Sequence, residues 1–330
     1  MAEPVLKWAG GKRQILHYIV SLMPSDYKDR RFHEPFFGGG AVTFWLEPKE
    51  GTINDINPKL INFYIILRDY PEELIEDAKM HKNEREYYYR MRREYNKLAL
   101  SSWFRDFVRR GFKVESEQDR RNAIRLASLL LYLNKTAYNG LYRENRKGEF
   151  NVPFGRYKNP RIVDEKRLRE ASRVLRNLEI YNTDFSYVLD KAKEGDLVYF
   201  DPPYQPISQT ASFTDYSKEG FTYKDQIRLR DVCLELHRRG VYFILSNSSA
   251  PEIVKLYKDI PEFDIIIVKA KRVINSKADR RGPVDEILVT NVPREERVGL
   301  EKAIKLTRQE SYEKQEQGHN RERSILEWIN

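Results

Sequence analysis

The chain has 330 residues, enough to bury a large core but beyond the usual span of one domain, so a domain with an insertion, or two domains, is expected. Charged residues are 33% and hydrophobic ones 40%, with no apolar run of the length that crosses a membrane, and the one cysteine, Cys233, excludes an internal disulfide framework and suits a cytoplasmic protein. The net charge of +9 is local: residues 81–160 hold 19 basic and 9 acidic residues, which places a polyanion-facing segment there or else a solvated helical surface.

The first residues, MAEPVLKWAGGK, lack an apolar stretch behind their positive charges and do not read as a secretory signal. Next, KRQILHYIVSLM sets Ile15, Leu16, Ile19 and Val20 on one helical face, and Pro24 closes the segment. RFHEPFFGGGAVTFWL predicts a short strand, a glycine turn and a helix, and GTINDINP a second strand ending at Asp55. From Pro58 to about Tyr181 the pattern is helical, basic and aromatic, as in EYYYRMRREY. Strand signals then return in LEIYNTDF, DLVYFDPPY, VYFILSN, FDIIIVKA and DEILVTNV, the earlier ones separated by helical stretches. Strands alternating with helices predict a parallel sheet covered on both faces. The last two strands are too close for a helical crossover and are expected to pair antiparallel. After Pro293 the chain is polar, with a helix and a frayed end expected.

Three short stretches carry chemistry. Gly38, Gly39 and Gly40, between a strand and a helix, allow a ligand to approach backbone amides, although a tight structural turn would look the same. Asp55 at the next strand end suits ribose hydroxyls or, equally, an Asx turn into Asn57-Pro58. No P-loop pattern occurs. Asp201-Pro202-Pro203-Tyr204 is more specific, because the prolines end the strand and hold the acid rigidly. The Asp201 carboxylate and the Pro202 carbonyl are two acceptors beside an aromatic ring, a set that can grip a planar exocyclic amine such as that of adenine or cytosine. The five histidines have no metal-ligand spacing.

In order, LKWAGGK, EPFFGGGAV, NDINP, NKTAYNGLYREN, GEFNVPFGRY and DPPY resemble the Dam-type DNA adenine-N6 methyltransferases, and the likeness continues through ISQTASFTDYSKEGFTYKDQIRL, closest to the DpnM branch that modifies GATC. The resemblance spans residues 5 to 290 or so. It implies an α/β, Rossmann-like S-adenosylmethionine-dependent sheet interrupted by a mainly helical DNA-recognition domain. Residues 1–66 and 167–292 would form the catalytic domain, 67–166 the target-recognition insertion and 293–330 a charged extension.

The same resemblance assigns residues. Trp8, Lys12, Phe37, Gly38, Gly40, Asp55, Asp184 and Asp201 correspond to positions around the S-adenosylmethionine cofactor, with Asp184 at its adenine end and Lys12 facing a carboxylate, expected to be the cofactor's. In the DNA-binding set, Tyr138 would wedge into the base stack, Asn139 lie beside the vacated base, and Arg143 read guanine O6 and N7, unless it forms a salt bridge to Glu144 or Glu149. Lys7 would touch the first guanine, and Leu141, Asn145, Pro153 and Arg156 would complete the set. Arg92, Arg93, Arg105, Arg109 and Arg110 are expected to be phosphate contacts or exposed charges.

The implied activity is methyl transfer to N6 of an adenine flipped out of double-stranded DNA, within GATC, alongside a cognate restriction endonuclease and with no membrane partner. Cytosine-N4 methylation, RNA adenine methylation and a catalytically inactive DNA-binding protein are the alternatives. Asp at 201 speaks against the first two, where Ser or Asn more often precedes the prolines, and the intact motifs speak against the third.

Overall fold

Short apolar segments that end at glycine, proline or asparagine produce a seven-stranded sheet of order β3-β2-β1-β4-β5-β7-β6. The strands are β1 (Phe32–Glu34), β2 (Gly51–Asn54), β3 (Leu178–Tyr181), β4 (Leu197–Phe200), β5 (Tyr242–Ser248), β6 (Asp264–Lys271) and β7 (Pro283–Thr290). This computed structural model describes residues 2–204, 220–271 and 283–307. Residues 205–219, which hold much of the last stretch of family likeness, the connection expected between the final two strands at 272–282, and the tail 308–330 lie outside the described residues.

The strands β1 to β5 run parallel, and β7 enters antiparallel between β5 and β6, as the short connection predicts. Alternation along β4 shows why both faces are covered. Leu197 and Tyr199 join one apolar cluster with Ile15, Ile19 and Phe32, while Val198 and Phe200 join another with Leu229, Val232 and Leu236. The first face is covered by α1 (Leu16–Leu22) and α2 (Ala41–Leu46). The second is covered by α9 (Val188–Lys191), α10 (Tyr223–Arg238) and α11 (Pro251–Lys255). The amino-terminal helix starts later than predicted, because Lys12–Gln14 winds as a 3-10 turn.

Between β2 and β3 lie α3 (Pro58–Asp69), α4 (Pro71–Lys79), α5 (Arg85–Ala99), α6 (Ser102–Arg109), α7 (Glu117–Thr136) and α8 (Glu165–Leu175). Asn57 caps α3 by accepting from the Lys59 and Leu60 amides, with Pro58 at its first turn. Every residue of α3 from Leu60 to Leu67 is buried. Its apolar cluster continues without a break from Phe37, Phe44 and Ile53 beside the sheet to Leu129, Leu130 and Leu133 of α7. The boundaries expected at 66/67 and 166/167 therefore fall inside α3 and α8, helices that share one core with the sheet edge.

The start of the tail is also tied down. The Val298 and Gly299 amides donate to the Met23 and Ser21 carbonyls, Arg294 and Arg297 pair with Asp264 at 2.7 and 2.6 Å, and Ala303 is buried. The helix expected in this stretch covers residues 300–307, and the end expected to fray lies outside the described residues.

Candidate active site

Strand order reverses between β1 and β4, so the connections leave in opposite directions and open a crevice at the carboxyl ends of these two strands. Four sequence stretches meet there. Asp201 follows β4, and its Oδ1 lies 2.9 Å from the Lys12 ammonium, which is 5% exposed and also donates to the Gly10 carbonyl at 3.1 Å. Lys12 thus pairs with Asp201 across the crevice. The same ammonium sits 4.4 Å from the centre of the Tyr204 ring and 3.8 Å from Glu286 on β7. Glu286 in turn accepts a 2.9 Å hydrogen bond from the Tyr204 hydroxyl. Pro202 is buried and Pro203 exposed, and the Pro203 carbonyl accepts a long 3.5 Å contact from Gln226, which Asn247 orients at 2.8 Å.

Electrostatics follow from this crowding. Burial pushes the Asp201 carboxyl up, Lys12 pulls it down and Glu286 pushes it up a little, which together leave it at about 6. Behind it, at the end of β1, Glu34 is fully enclosed and accepts hydrogen bonds from both the Thr43 amide and hydroxyl. Burial raises its carboxyl to about 8, so this acid is neutral at pH 7. Asp201 is therefore the ionised acceptor of the crevice and Glu34 an uncharged support.

The glycine turn forms the neighbouring wall. Gly38 has φ +49°, and a Cβ there would lie 2.9 Å from the Trp8 ring; Gly40 has φ +67°, and a Cβ would meet the Phe37 ring at 2.4 Å. The Gly38 amide donates to Asp55 Oδ2 at 2.9 Å and its carbonyl accepts from Tyr64 at 2.8 Å. Asp55 Oδ1 accepts from the Asn57 amide at 2.9 Å, so the carboxylate makes the Asx turn and clamps the glycine turn as well. Phe37 packs its ring between Phe44 and Tyr64, which leaves only its backbone to face a ligand. Phe36 instead stands at the crevice, 5.3 Å from Phe185 and 5.4 Å from Phe221. Trp8 stacks on Tyr142 at 4.9 Å.

Asp184 caps the turn after β3, accepting from the Ser186 amide at 3.0 Å and pairing with Arg228 at 2.8 Å. Burial raises its carboxyl, but the Ser186 hydrogen bonds and Arg228 outweigh burial and hold it below the ordinary range. Beside Asp55, Ile56 is 75% exposed, an apolar side chain open to solvent.

The cradle fits a nucleoside-like cofactor. Its turn admits no Cβ at Gly38 or Gly40, its acid is fixed at Asp55, and aromatic and aliphatic walls flank it in Trp8, Phe36 and Ile56.

The expected DNA-facing residues gather on a loop after α7. Residues 137–157 fold back as a hairpin held by two isolated bridges, Ala137 with Phe154 and Glu144 with Phe150. At its tip Asn145 accepts from the Lys147 and Glu149 amides and donates to the Glu149 carboxylate at 2.7 Å, so its side chain is spent on the turn. Arg143 is exposed and donates to Asn151 at 2.8 Å; neither expected salt bridge forms, because Glu144 pairs with Lys59 and Glu149 with Asn145. Tyr138 is 51% exposed, and Asn139 and Arg156 are exposed with φ of +54° and +56°. Pro153 receives the Tyr138 amide, and Leu141 packs on the helical core.

Lys7 is tied to Asn134 through its backbone at 2.8 and 2.7 Å, and its side chain reaches over Tyr157. A cleft of about 450 Å³ opens beside it, lined by Lys135, Lys158, Arg161 and Arg167 among others. The helical arginines divide by role. Arg92 holds the Val152 carbonyl of the hairpin at 3.1 Å, and Arg110 pairs internally with Asp119 at 3.0 Å. Arg105 donates to the Leu100 carbonyl and Arg109 pairs with Asp106, both at the surface, and Arg93 is exposed.

Sequence reading missed Glu286, Glu34 and Phe36. Glu34 and Phe36 flank a motif already noticed, in EPFFGGG, and an acid directly before a glycine turn was the available signal. Glu286 gave none, since one acid in DEILVTNV reads as the solvated face of a strand.

The sequence profile of the D12 class N6 adenine-specific DNA methyltransferases matches residues 8–274. The type II methyltransferase M1.LlaDCHI of Lactococcus lactis subsp. cremoris is 44% identical over 293 residues, covering 88% of this chain and 95% of that protein. Type II methyltransferase M.MjaIII of Methanocaldococcus jannaschii is 40% identical over 307 residues, 88% and 99% of the two chains. The DNA adenine methylase of Escherichia coli K12 is 33% identical over 292 residues, 87% and 95%.

Proposed function

The chain belongs to the D12 class N6 adenine-specific DNA methyltransferases, and from that premise we propose that it takes its methyl group from S-adenosylmethionine and delivers it to an adenine flipped out of duplex GATC. The observation that carries this reading is the cluster of Asp201, Lys12, Tyr204 and Glu286 at the crevice, one step from the cradle of Gly38 and Asp55.

Trp8, the Gly38 turn, Asp55 and Ile56 would hold the cofactor, with Asp184 at its adenine end through Oδ2, which accepts no hydrogen bond among the described residues. Bound there, S-adenosylmethionine supplies a methyl carbon on positively charged sulfur, open to attack by a nitrogen lone pair. The residues of the chain make N6 able to attack. An aryl amine is a poor nucleophile because its lone pair is shared with the ring. Asp201 Oδ and the Pro202 carbonyl accept its two N–H bonds, which return electron density to nitrogen and aim its lone pair. Among the described residues the Pro202 carbonyl accepts no other hydrogen bond. Tyr204 stacks on the base with the face that Lys12 leaves open, and stacking of roughly 1–3 kcal/mol offsets part of the few kcal/mol that flipping costs. With its carboxyl near 6, Asp201 is ionised at pH 7 and can take the proton that N6 releases.

The hairpin of residues 137–157, with Lys7 beside it, acts as the recognition unit in this proposal. Tyr138 wedges into the stack, Asn139 fills beside it, and Arg143, Lys7, Leu141 and Pro153 face the bases, while Asn145 shapes the loop and Arg156 reaches the backbone. Two of the relatives carry the name type II methyltransferase, which supports a paired restriction endonuclease. Mapping every modified adenine in a treated plasmid tests the specificity: modification confined to GATC agrees, and modification at any other shared sequence refutes it.

A further inference from the structure

We propose that Glu286 is a positioning residue for the methyl transfer: by holding the Tyr204 hydroxyl it fixes the plane of the ring on which the target adenine stacks. The inference rests on the stacking role given to Tyr204 above.

Glu286 has the firmer backbone of the two. It lies in the interior of the sheet, opposite Ser248 on β5 and Val268 on β6, so its strand is hydrogen-bonded on both sides. Tyr204 belongs to no strand and follows two prolines. Its χ2 torsion is intrinsically broad, so backbone geometry alone does not set the tilt of the ring. The 2.9 Å hydrogen bond pins the far end of that ring to the sheet. Lys12, 4.4 Å from the ring centre and 3.8 Å from the Glu286 carboxylate, closes the arrangement from one face. The side chain of Glu286 is 14% exposed, so water competes little for the contact.

A purely structural part explains Glu286 poorly. A second carboxylate beside Asp201 works against ionisation of the acid that must grip N6. An amide or an apolar side chain would fill the strand position without that cost. What an acid adds is a carboxylate oxygen that accepts from the phenol while facing the Lys12 ammonium at 3.8 Å.

The test uses Glu286→Ala, Glu286→Gln, Tyr204→Phe and the double variant Glu286→Ala/Tyr204→Phe, in the full chain. For Glu286→Ala, kcat should fall roughly 10- to 100-fold, the scale of a misplaced reacting group, with KM for DNA within about twofold. Glu286→Gln keeps an acceptor oxygen and should recover most of kcat. Tyr204→Phe should lose a similar factor, and the double variant should be no worse than the poorer single one, because both remove the same hydrogen bond. A second readout needs no cofactor: 2-aminopurine at the target position should fluoresce more brightly when bound by Glu286→Ala than by the unsubstituted chain, as a loosely held ring quenches less.

Unchanged kcat in Glu286→Ala, losses that multiply in the double variant, or a Gln variant as poor as Ala would each overturn the proposal. Tyr204→Ala separates it from the reading beneath it. Full activity there removes the stacking role itself, whereas full activity in Glu286→Ala alone removes only the part given to Glu286.

Discussion

The two working ends of the molecule are built on opposite principles. At the crevice, Lys12, Asp201, Tyr204 and Glu286 come from positions up to 274 residues apart and are held by one another, mostly out of water. At the hairpin, residues 137–157 are near neighbours in sequence; their turn is held by Asn145 and their backbone by Asn96, Tyr88 and Arg92 of α5, while Tyr138, Asn139 and Arg143 remain exposed. Chemistry on a weak nucleophile needs fixed acceptors in a low-dielectric setting, so those groups are coupled. In the proposed reading a partner needs side chains that are presented to it, and here the scaffold carries most of the bonds while Tyr138 and Asn139 stay exposed.

On that contrast, changes at the crevice should alter rate and changes at the hairpin should alter choice. Asp201→Ala should lower kcat by about 10³-fold or more while leaving DNA affinity within about twofold, measured by single-turnover methylation and by titration. Next in size is Glu34→Gln. Because the folded chain keeps the Glu34 proton up to about 8 and the unfolded chain releases it near 4.5, stability contributed by the neutral acid is complete below pH 4.5 and is lost as pH rises through 8. Glutamine does not titrate, so its advantage in unfolding free energy should grow across that window to a few kcal/mol, and parallel stability profiles would refute the buried neutral acid.

Lys12→Met sharpens the crevice half of the comparison. Lys12 lowers the Asp201 carboxyl, so its removal should move the acid limb of the kcat/KM profile from about 6 to higher pH and make the loss at pH 7 larger than at pH 9. Arg143→Ala probes the other end. It should cost about 1–3 kcal/mol in discrimination at one position of the site with kcat on the best sequence retained, and an unchanged preference would remove it from the reading set. The smallest effect belongs to Asn145→Ala, which should speed hydrogen exchange at the amides of Lys147 and Glu149 and cost about 1 kcal/mol locally.

Legibility in the sequence divides along the same line. Periodicity alone places the strands and the helical stretch, because apolar alternation and turn residues are local, and the paired prolines announce Asp201 at a strand end. The hairpin is likewise local, its turn set by Asn145 accepting from the amides two and four positions on. Lys12 was legible as a site residue but not its partner, since nothing local says that a lysine in WAGGK meets an acid 189 positions later. Glu286 was illegible for the same reason, and so was the continuity of α3 and α8 with the sheet core, which depends on packing across β2 and β3 rather than on any pattern within a helix.

The measurement that tests the central claim most directly is to incubate the purified chain, and Asp201→Ala beside it, with S-adenosylmethionine and unmethylated plasmid, hydrolyse the DNA and identify the nucleosides by mass spectrometry. The account predicts N6-methyladenine from the unsubstituted chain and none from the variant. N4-methylcytosine, or N6-methyladenine produced equally well without Asp201, would contradict it.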